Sequence, residues 1–243
     1  YSLHKNAVIT MLLFWFCYFT GLSGTSPFQS YVYSGYNLVL GLPIVFFGIM
    51  DRDLSQEFVE ANPQVYETGQ KNSLLGPYAV VEWTLNAIGY AIILCLILYY
   101  AVSASFADQS LYIAGTSIYV ALIMAMQGKV VFLHHQWAWP QTFVMGLSFL
   151  GMFFMIYVAQ YFSYDDLYGA VGPVLFADET FWFMALFSVP IIMLLFEGLC
   201  YWVQLLFYPT KEMLYREIFL KVSSDNNDAN AKDGLGLEGG RRG

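Results

Sequence analysis

Residues 78–102 read YAVVEWTLNAIGYAIILCLILYYAV, an apolar run with one charged side chain, Glu82. A helix needs about 20 mostly apolar residues to cross a hydrocarbon layer of about 30 Å. A run of this length is typical of a membrane-spanning helix and is too long for a buried strand. The stretch therefore predicts one transmembrane helix, with which the rest of the chain can be compared.

Similar apolar runs occur along most of the sequence. The predicted spans are about 1–22, 31–50, 78–102, 110–128, 142–162 and 181–207. Short segments rich in Gly, Ser, Pro and Asp separate them, as expected where the backbone returns to water. Neither the alternating pattern of barrel strands nor an internal repeat is visible. The sequence predicts an all-α membrane protein with a bundle of six transmembrane helices in residues 1–208.

The two ends of the chain differ in character. The apolar part of the first span, residues 7–22, is short for a full crossing, and the chain begins at Tyr1 without a signal-peptide pattern. We therefore expect a piece of a longer polypeptide. The tail, 209–243, is expected to contain a short amphipathic helix over Lys211 to Lys221 and to be disordered after about residue 220. A solvated end is favoured over a regulatory tail.

Charged residues are scarce outside that tail. Hydrophobic residues make up 58% of the chain, and residues 209–243 hold 12 of its 28 Asp, Glu, Lys and Arg residues. Soluble domains carry about one charge in four residues, so a water-soluble globule is excluded. The excess of 18 acidic over 10 basic residues argues against a nucleic-acid partner. The three cysteines lie in apolar runs without C-x-x-C spacing, so neither a disulfide framework nor a zinc site is expected.

The basic residues occupy one side of the predicted spans. They are Lys5, Arg52, Lys71, Lys129 and six residues of the tail. The connections 23–30, 103–109 and 163–180 contain none. The positive-inside rule therefore places both ends of the chain, and the loops 51–77 and 129–141, in the cytoplasm.

Polar side chains within the spans are candidates for function, because burying them in lipid is costly. They are Lys5, Asn6, Asn37, Glu82, Asn86 and Glu197. Glu82 lies in the first turn of its span, where a helix N-terminus favours an anion. Glu197 lies deeper and needs a partner or a proton, so helix packing and function both stay open. Pro43 and Pro190 interrupt the backbone hydrogen bonding of their helices.

Two patterns resemble catalytic motifs but lack the partners that those motifs need. Gly21-Leu22-Ser23-Gly24 matches the G-x-S-G of rhomboid-type intramembrane proteases, which require a histidine base. His4, His134 and His135 are all predicted on the opposite side of the membrane from Ser23. The pair His134-His135 supplies too few ligands for a membrane di-iron centre. No catalytic residue and no metal site are predicted in this chain, and the G-x-S-G is interpreted as a turn.

Two stretches together carry the signature of a known family. The first contains His4-Lys5-Asn6, Trp15, Thr20-Gly21-Leu22-Ser23-Gly24, Tyr36-Asn37, Pro43 and Gly48-Ile49-Met50-Asp51-Arg52-Asp53. The second contains Asn62-Pro63-Gln64-Val65-Tyr66-Glu67-Thr68-Gly69-Gln70-Lys71-Asn72, Trp83, Asn86 and Tyr90. In this order they resemble the fifth to seventh membrane helices of the type IV P-type ATPases, the ATP-driven phospholipid flippases. The resemblance implies that the six spans are the last six of a ten-helix membrane domain.

That resemblance implies a transport module that moves phospholipid toward the cytoplasmic leaflet. A lysine and an asparagine of the family's fifth helix, and a Tyr-Asn pair of its sixth helix, lie along the head-group path. The corresponding residues, and therefore the predicted substrate-binding residues, are Lys5, Asn6, Tyr36 and Asn37. The family's D-K-T-G motif and nucleotide-binding domain are absent from this sequence. The chain alone is therefore not expected to hydrolyse ATP or to hold a cofactor, whereas the full-length protein would use ATP and Mg.

The resemblance also implies partners and a location. They are the phospholipid substrate, the rest of the flippase chain and a two-span beta subunit, in the plasma membrane or the Golgi and endosomal system. The loop 163–180 would face the beta subunit with Asp165, Asp166, Asp178 and Glu179. Two other functions stay open, an independent six-span transporter or channel and a membrane bundle that transports nothing.

Overall fold

Helices form the regular structure of the residues that the computed structural model describes. Those residues are 1–51, 54, 56–63, 76–97, 111–134, 137–162, 171, 176–177, 179, 181–207, 209, 213–215 and 217–221. The helices are α1 Ser2–Phe19, α2 Ser30–Met50, α3 Gln56–Ala61, α4 Pro77–Ile97, α5 Leu111–Leu133, α6 Trp139–Phe162 and α7 Val189–Phe207, the last preceded by a π-helical segment at Phe181–Ser188. The predicted all-α architecture is confirmed.

Five helices in this part of the chain are long and apolar enough to cross a membrane, namely α2, α4, α5, α6 and α7. Helix α1 is not among them, because His4, Lys5 and Asn6 lower the mean hydropathy of its 18 residues. The membrane-protein class is therefore confirmed, while the count of six spans stays a prediction. Helix α5 continues to Leu133, beyond the predicted end of the fourth span at residue 128.

Helix α1 ends in a tight glycine turn. The N–H of Gly21 bonds to the carbonyl of Tyr18, and the N–H of Leu22 bonds to that of Cys17 at 2.8 Å. Gly21 has a φ of +66°, the left-handed conformation that such a C-terminal cap requires. The Ser23 hydroxyl bonds to that of Thr25 at 2.8 Å. The interpretation of the G-x-S-G sequence as a turn is confirmed.

Helix α2 tolerates a proline in its interior because another helix supplies the missing hydrogen bond. Pro43 has no N–H, so the carbonyl of Val39 lacks its helical donor. The hydroxyl of Ser148, from α6, donates to that carbonyl. Gln127, from α5, donates to the Ser148 oxygen at 2.9 Å. Three helices are thus joined by one buried chain of hydrogen bonds.

Replacing Ser148 with Ala should destabilise the protein by about 1–3 kcal/mol, because it leaves a buried carbonyl without a partner. Thermal unfolding in detergent micelles measures the change. The matched control is the same substitution in a Pro43→Ala background, where the residue at position 43 regains its N–H. The Ser148→Ala loss should shrink there, and an unchanged loss would show that the freed carbonyl is not its cause.

The π-helical segment Phe181–Ser188 lies directly before α7, and Pro190 is the second residue of α7. The helix thus changes from π-helical to α-helical hydrogen bonding next to Pro190, which lacks a backbone N–H donor. An interruption of the helix near Pro190 was expected from the sequence, but the π-helical segment before it was not.

Two compact units are present, the first formed by Tyr1–Asp51 and Pro77–Leu199 and the second by Arg52–Gly76 and Cys200–Gly243. In the first unit α1 packs on α4, α2 on α6, and α5 on the π-helical segment and α2. Helix α5 is buried on almost every side, in keeping with its apolar residues all round. It therefore forms the centre of this unit.

The second unit joins the loop after α2 to the tail. The rings of Phe58 and Phe219 lie 5.2 Å apart in an edge-on contact. Residues 213–215 and 217–221 are helical, which confirms the predicted tail helix at these positions. The hydrogen bond and the negative charge of Glu217 raise the pKa of Lys221. Most of the predicted 62–72 motif and the predicted disorder up to residue 243 lie outside the described residues.

Candidate functional site

Two of the four predicted substrate-binding residues contact each other between α1 and α2. The Tyr36 hydroxyl donates to the backbone carbonyl of Lys5 at 2.8 Å. The Lys5 ammonium nitrogen lies 5.8 Å from the centroid of the Tyr36 ring. Both residues are almost fully buried. The aromatic face thus lies within the range at which a cation is attracted to it.

The other two predicted residues, Asn6 and Asn37, are exposed on the surface of the described helices. The Asn6 carbonyl accepts a bond from the Thr10 hydroxyl at 2.8 Å, so its backbone stays helical. An amide side chain exposed on a membrane helix is costly unless it meets a polar partner. The structure therefore brings Lys5 and Tyr36 together and leaves both asparagine side chains available on the outer surface.

A second polar group lies near the start of α1, where a buried ion pair joins α5 to α7. The Lys129 ammonium lies 3.0 Å from Glu197 Oε2. The side chain of Lys129 is 2% exposed and that of Glu197 is 12% exposed. Glu197 was expected to need a partner, and Lys129 is that partner.

One face of α4 completes this group. Trp83, Asn86 and Tyr90 are spaced three and four residues apart, which places them on the same face of a helix. The Tyr90 hydroxyl donates to Glu197 Oε2 at 3.0 Å. The Lys129 nitrogen lies 4.8 Å from the Trp83 ring centroid and 5.0 Å from that of Tyr90. The cation is therefore held between one carboxylate and two aromatic faces.

Asn86 and His4 connect the ion pair to α1. Asn86 Oδ1 lies 2.7 Å from the Lys129 ammonium and 2.7 Å from His4 Nε2. This oxygen only accepts, so it suits the His4 tautomer with a proton on Nε2. The Lys129 ammonium also lies 3.3 Å from the same nitrogen. Asn86 Nδ2 donates to Glu197 Oε2 at 3.2 Å. We call His4, Trp83, Asn86, Tyr90, Lys129 and Glu197 the charge cluster.

The prediction that Lys129 is a cation of the 129–141 loop is wrong. It lies within α5, and its charge does not end the helix because Glu197 and Asn86 compensate it. Lys5 also lies within a helix, so two of the ten basic residues are not loop cations. A signal was present in the sequence, since a lone Glu in one span and a Lys at the edge of another indicate a buried pair.

His134 lies at the end of α5, beside the end of α2. Its Nδ1 is 3.2 Å from Asp51 Oδ1, and its ring centroid is 4.5 Å from that of Phe47. The separation suits an ion pair when the ring is protonated, but the atoms are not aligned for a hydrogen bond. His134 is buried against aromatic rings, and His135 lies outside the described residues. In the described part of the chain, no three His, Cys, Asp or Glu residues are grouped closely enough to hold a metal ion.

The chain is similar to known proteins over a region that includes both the four predicted substrate-binding residues and the charge cluster. A family model described as "Phospholipid-translocating P-type ATPase C-terminal" matches residues 1–210. A phospholipid-transporting ATPase of Schizosaccharomyces pombe is 26% identical over 230 residues, which is 90% of this chain and 18% of that protein. Phospholipid-transporting ATPase DRS2 of Saccharomyces cerevisiae is 26% identical over 233 residues, 90% of this chain and 17% of its own length.

A plant relative gives the same result. Probable phospholipid-transporting ATPase 4 of Arabidopsis thaliana is 28% identical over 183 residues, 72% of this chain and 14% of that protein. The chain thus spans less than a fifth of the length of these three curated relatives. Because the family model matches most of the 243 residues, the chain belongs to the C-terminal family of phospholipid-translocating P-type ATPases.

Proposed function

We propose that this chain is the membrane transport module of an ATP-driven phospholipid translocase that moves phospholipid toward the cytoplasmic leaflet. The observation that carries the proposal is the position of Lys5, which is buried against Tyr36 in a chain that matches the family over residues 1–210. Asn6 and Asn37, from the same two helices, are exposed and add amide groups. These four residues are the proposed contacts of the head group.

The chemistry of Lys5 suits a phospholipid head group. Its ammonium has three donors and a full charge, which pair well with the phosphate or carboxylate of a lipid. A lysine in surroundings of low dielectric constant has lost most of its hydration, so an arriving anion replaces an interaction that water no longer supplies. The acyl chains can stay in the bilayer while the head group passes along this polar side of α1 and α2.

Energy for the movement would come from elsewhere in the transporter. The sequence has no D-K-T-G motif, so we place ATP hydrolysis, and the Mg that accompanies it, outside these 243 residues. In this proposal the module binds the lipid and signals its arrival to the phosphorylated domain. The loop 51–77 is the proposed contact with that domain.

The distribution of charge supports the proposed membrane topology and the proposed partner. The eight basic residues outside α1 and α5 fall in the 51–77 loop and the tail, which supports cytoplasmic positions for both. The 163–180 loop contains acidic residues and no basic residue, which suits a beta subunit with basic groups. The plasma membrane or the Golgi and endosomal system is the proposed location.

Replacing Lys5 with Ala in the transporter that contains this chain should weaken lipid-stimulated dephosphorylation about 10- to 100-fold, because one charge-assisted hydrogen bond is lost. Lipid-dependent decay of the phosphoenzyme is the measurement. Arg at this position should restore little, since its planar head presents a different fork of donors. The matched control is Lys221→Ala, an exposed lysine of the tail helix.

Wild-type lipid sensitivity in Lys5→Ala would remove this residue from the head-group path. The proposed function as a whole would be contradicted if the unmodified transporter moved no lipid and if lipid did not accelerate its dephosphorylation. That second result would favour the membrane bundle that transports nothing.

A further inference from the structure

The first turn of α1 is held by three different helices. The Tyr1 hydroxyl donates to the carbonyl of Met126 in α5 at 3.2 Å. His4 bonds to Asn86 in α4, and the carbonyl of Lys5 accepts from Tyr36 in α2. Lys5, the residue proposed to contact the lipid, therefore sits on a turn whose position is fixed from several directions.

His4 and Lys5 are sequence neighbours that point toward different partners. Successive residues of an α-helix lie about 100° apart around the axis. His4 accordingly contacts Asn86 of α4, while the Lys5 ammonium lies over the Tyr36 ring of α2. A rotation of α1 that moved Lys5 relative to α2 would also move His4 away from Asn86.

Asn86 makes the shortest polar contact between His4 and the rest of the charge cluster, at 2.7 Å, while the Lys129 ammonium lies 3.3 Å from the same ring nitrogen. The Asn86 oxygen accepts from both His4 and Lys129, and its nitrogen donates to Glu197. The ion pair therefore fixes the orientation of the amide, and the amide fixes His4. His4 itself is 3% exposed, so water does not readily replace the lost contact.

We propose that Asn86, acting through His4, is a positioning residue that sets the place of Lys5 and thereby the affinity of the transporter for the lipid head group. The proposal rests on the proposed function, since Lys5 must contact the lipid. It assigns a role to the charge cluster beyond joining helices. It also predicts that the effect of Asn86 on lipid affinity passes through Lys5.

The test uses two substitutions that keep volume and remove the hydrogen bond between His4 and Asn86; Asn86→Leu also removes the bonds of the amide to Lys129 and Glu197. Asn86→Leu removes both polar atoms of the amide, and His4→Phe removes the Nε2 donor while keeping a ring. Each should raise the lipid concentration for half-maximal dephosphorylation about tenfold, the effect of one buried hydrogen bond. The maximal rate and phosphorylation by ATP should change little. Vesicles containing increasing amounts of the transported phospholipid provide the titration.

Three controls separate positioning from folding. His4→Gln retains an N–H near the place of Nε2 and should keep wild-type lipid affinity. Thr84→Val changes an exposed residue of α4 outside the charge cluster and should have no effect. In a Lys5→Ala background, Asn86→Leu should cause no further loss of lipid affinity, because the residue it positions is gone.

The outcomes are distinct. An unchanged half-maximal concentration in both Asn86→Leu and His4→Phe would overturn the proposal, and so would equal losses in the Lys5→Ala and wild-type backgrounds. A parallel loss of ATP phosphorylation and thermal stability in His4→Phe would also overturn it, since that pattern marks a structural role only, whereas Asn86→Leu also loses its bonds to the ion pair. If the unmodified transporter showed no response to lipid, the proposed function would fail before this inference was tested.

Discussion

Replacing Lys129 with Met should destabilise the folded protein by about 3–5 kcal/mol, because the carboxylate of Glu197 would stay buried without its cation. The two groups lie 3.0 Å apart, and the lysine side chain is 2% exposed. Asn86 and Tyr90 would still donate to Glu197, so part of its charge would remain compensated. Thermal unfolding of the purified protein in detergent micelles gives the change in stability.

The double variant Lys129→Met and Glu197→Gln is the informative comparison. Removing both charges removes the burial penalty of the remaining one, so the double variant should be more stable than Lys129→Met alone. Lys221→Met is the matched control, since Lys221 pairs with Glu217 on the surface and its loss should change little. If the double variant were as unstable as Lys129→Met, the lost pairing would not explain the effect.

The same ion pair shows where prediction from the sequence stops. The long apolar helices could be predicted because the composition of each segment is enough to identify it as a span. A local count of apolar residues misplaced Lys129, because such a count ends a span at the first charge. The compensating residue, Glu197, is 68 positions away along the chain and becomes its neighbour only when the helices pack.

The sequence predicted the contacts of some candidate site residues but not those of others. The resemblance identified Lys5 and Tyr36, and the structure brings them together. Asn6 and Asn37 came from the same motifs but are exposed, so their partners do not lie among the contacts of the described helices. Asn86 belongs to the motif as well, yet its link to His4 depends on the packing of α1 on α4, which no local pattern records.

Replacing Gly115 with Ala should destabilise the protein by about 3 kcal/mol, even though alanine is the better helix former. Gly115 lies in α5, and a Cβ atom there would overlap the backbone carbonyl of Pro27. A backbone group cannot swing aside as a flexible side chain can. The turn before α2 would therefore have to move away from α5, which would separate the rings of Phe28 and Tyr119, now 6.1 Å apart.

Two other glycines provide a graded control for that substitution. At Gly146 in α6 a Cβ atom meets nothing within 4 Å, so alanine should be neutral or slightly stabilising. At Gly128 in α5 it would lie 3.0 Å from a methyl group of Leu194, which can rotate, so the loss should be intermediate. Thermal unfolding of the three variants should rank Gly146→Ala above Gly128→Ala and Gly115→Ala last. A Gly115→Ala protein as stable as Gly146→Ala would show that α5 and the turn at Pro27 are not packed backbone against backbone.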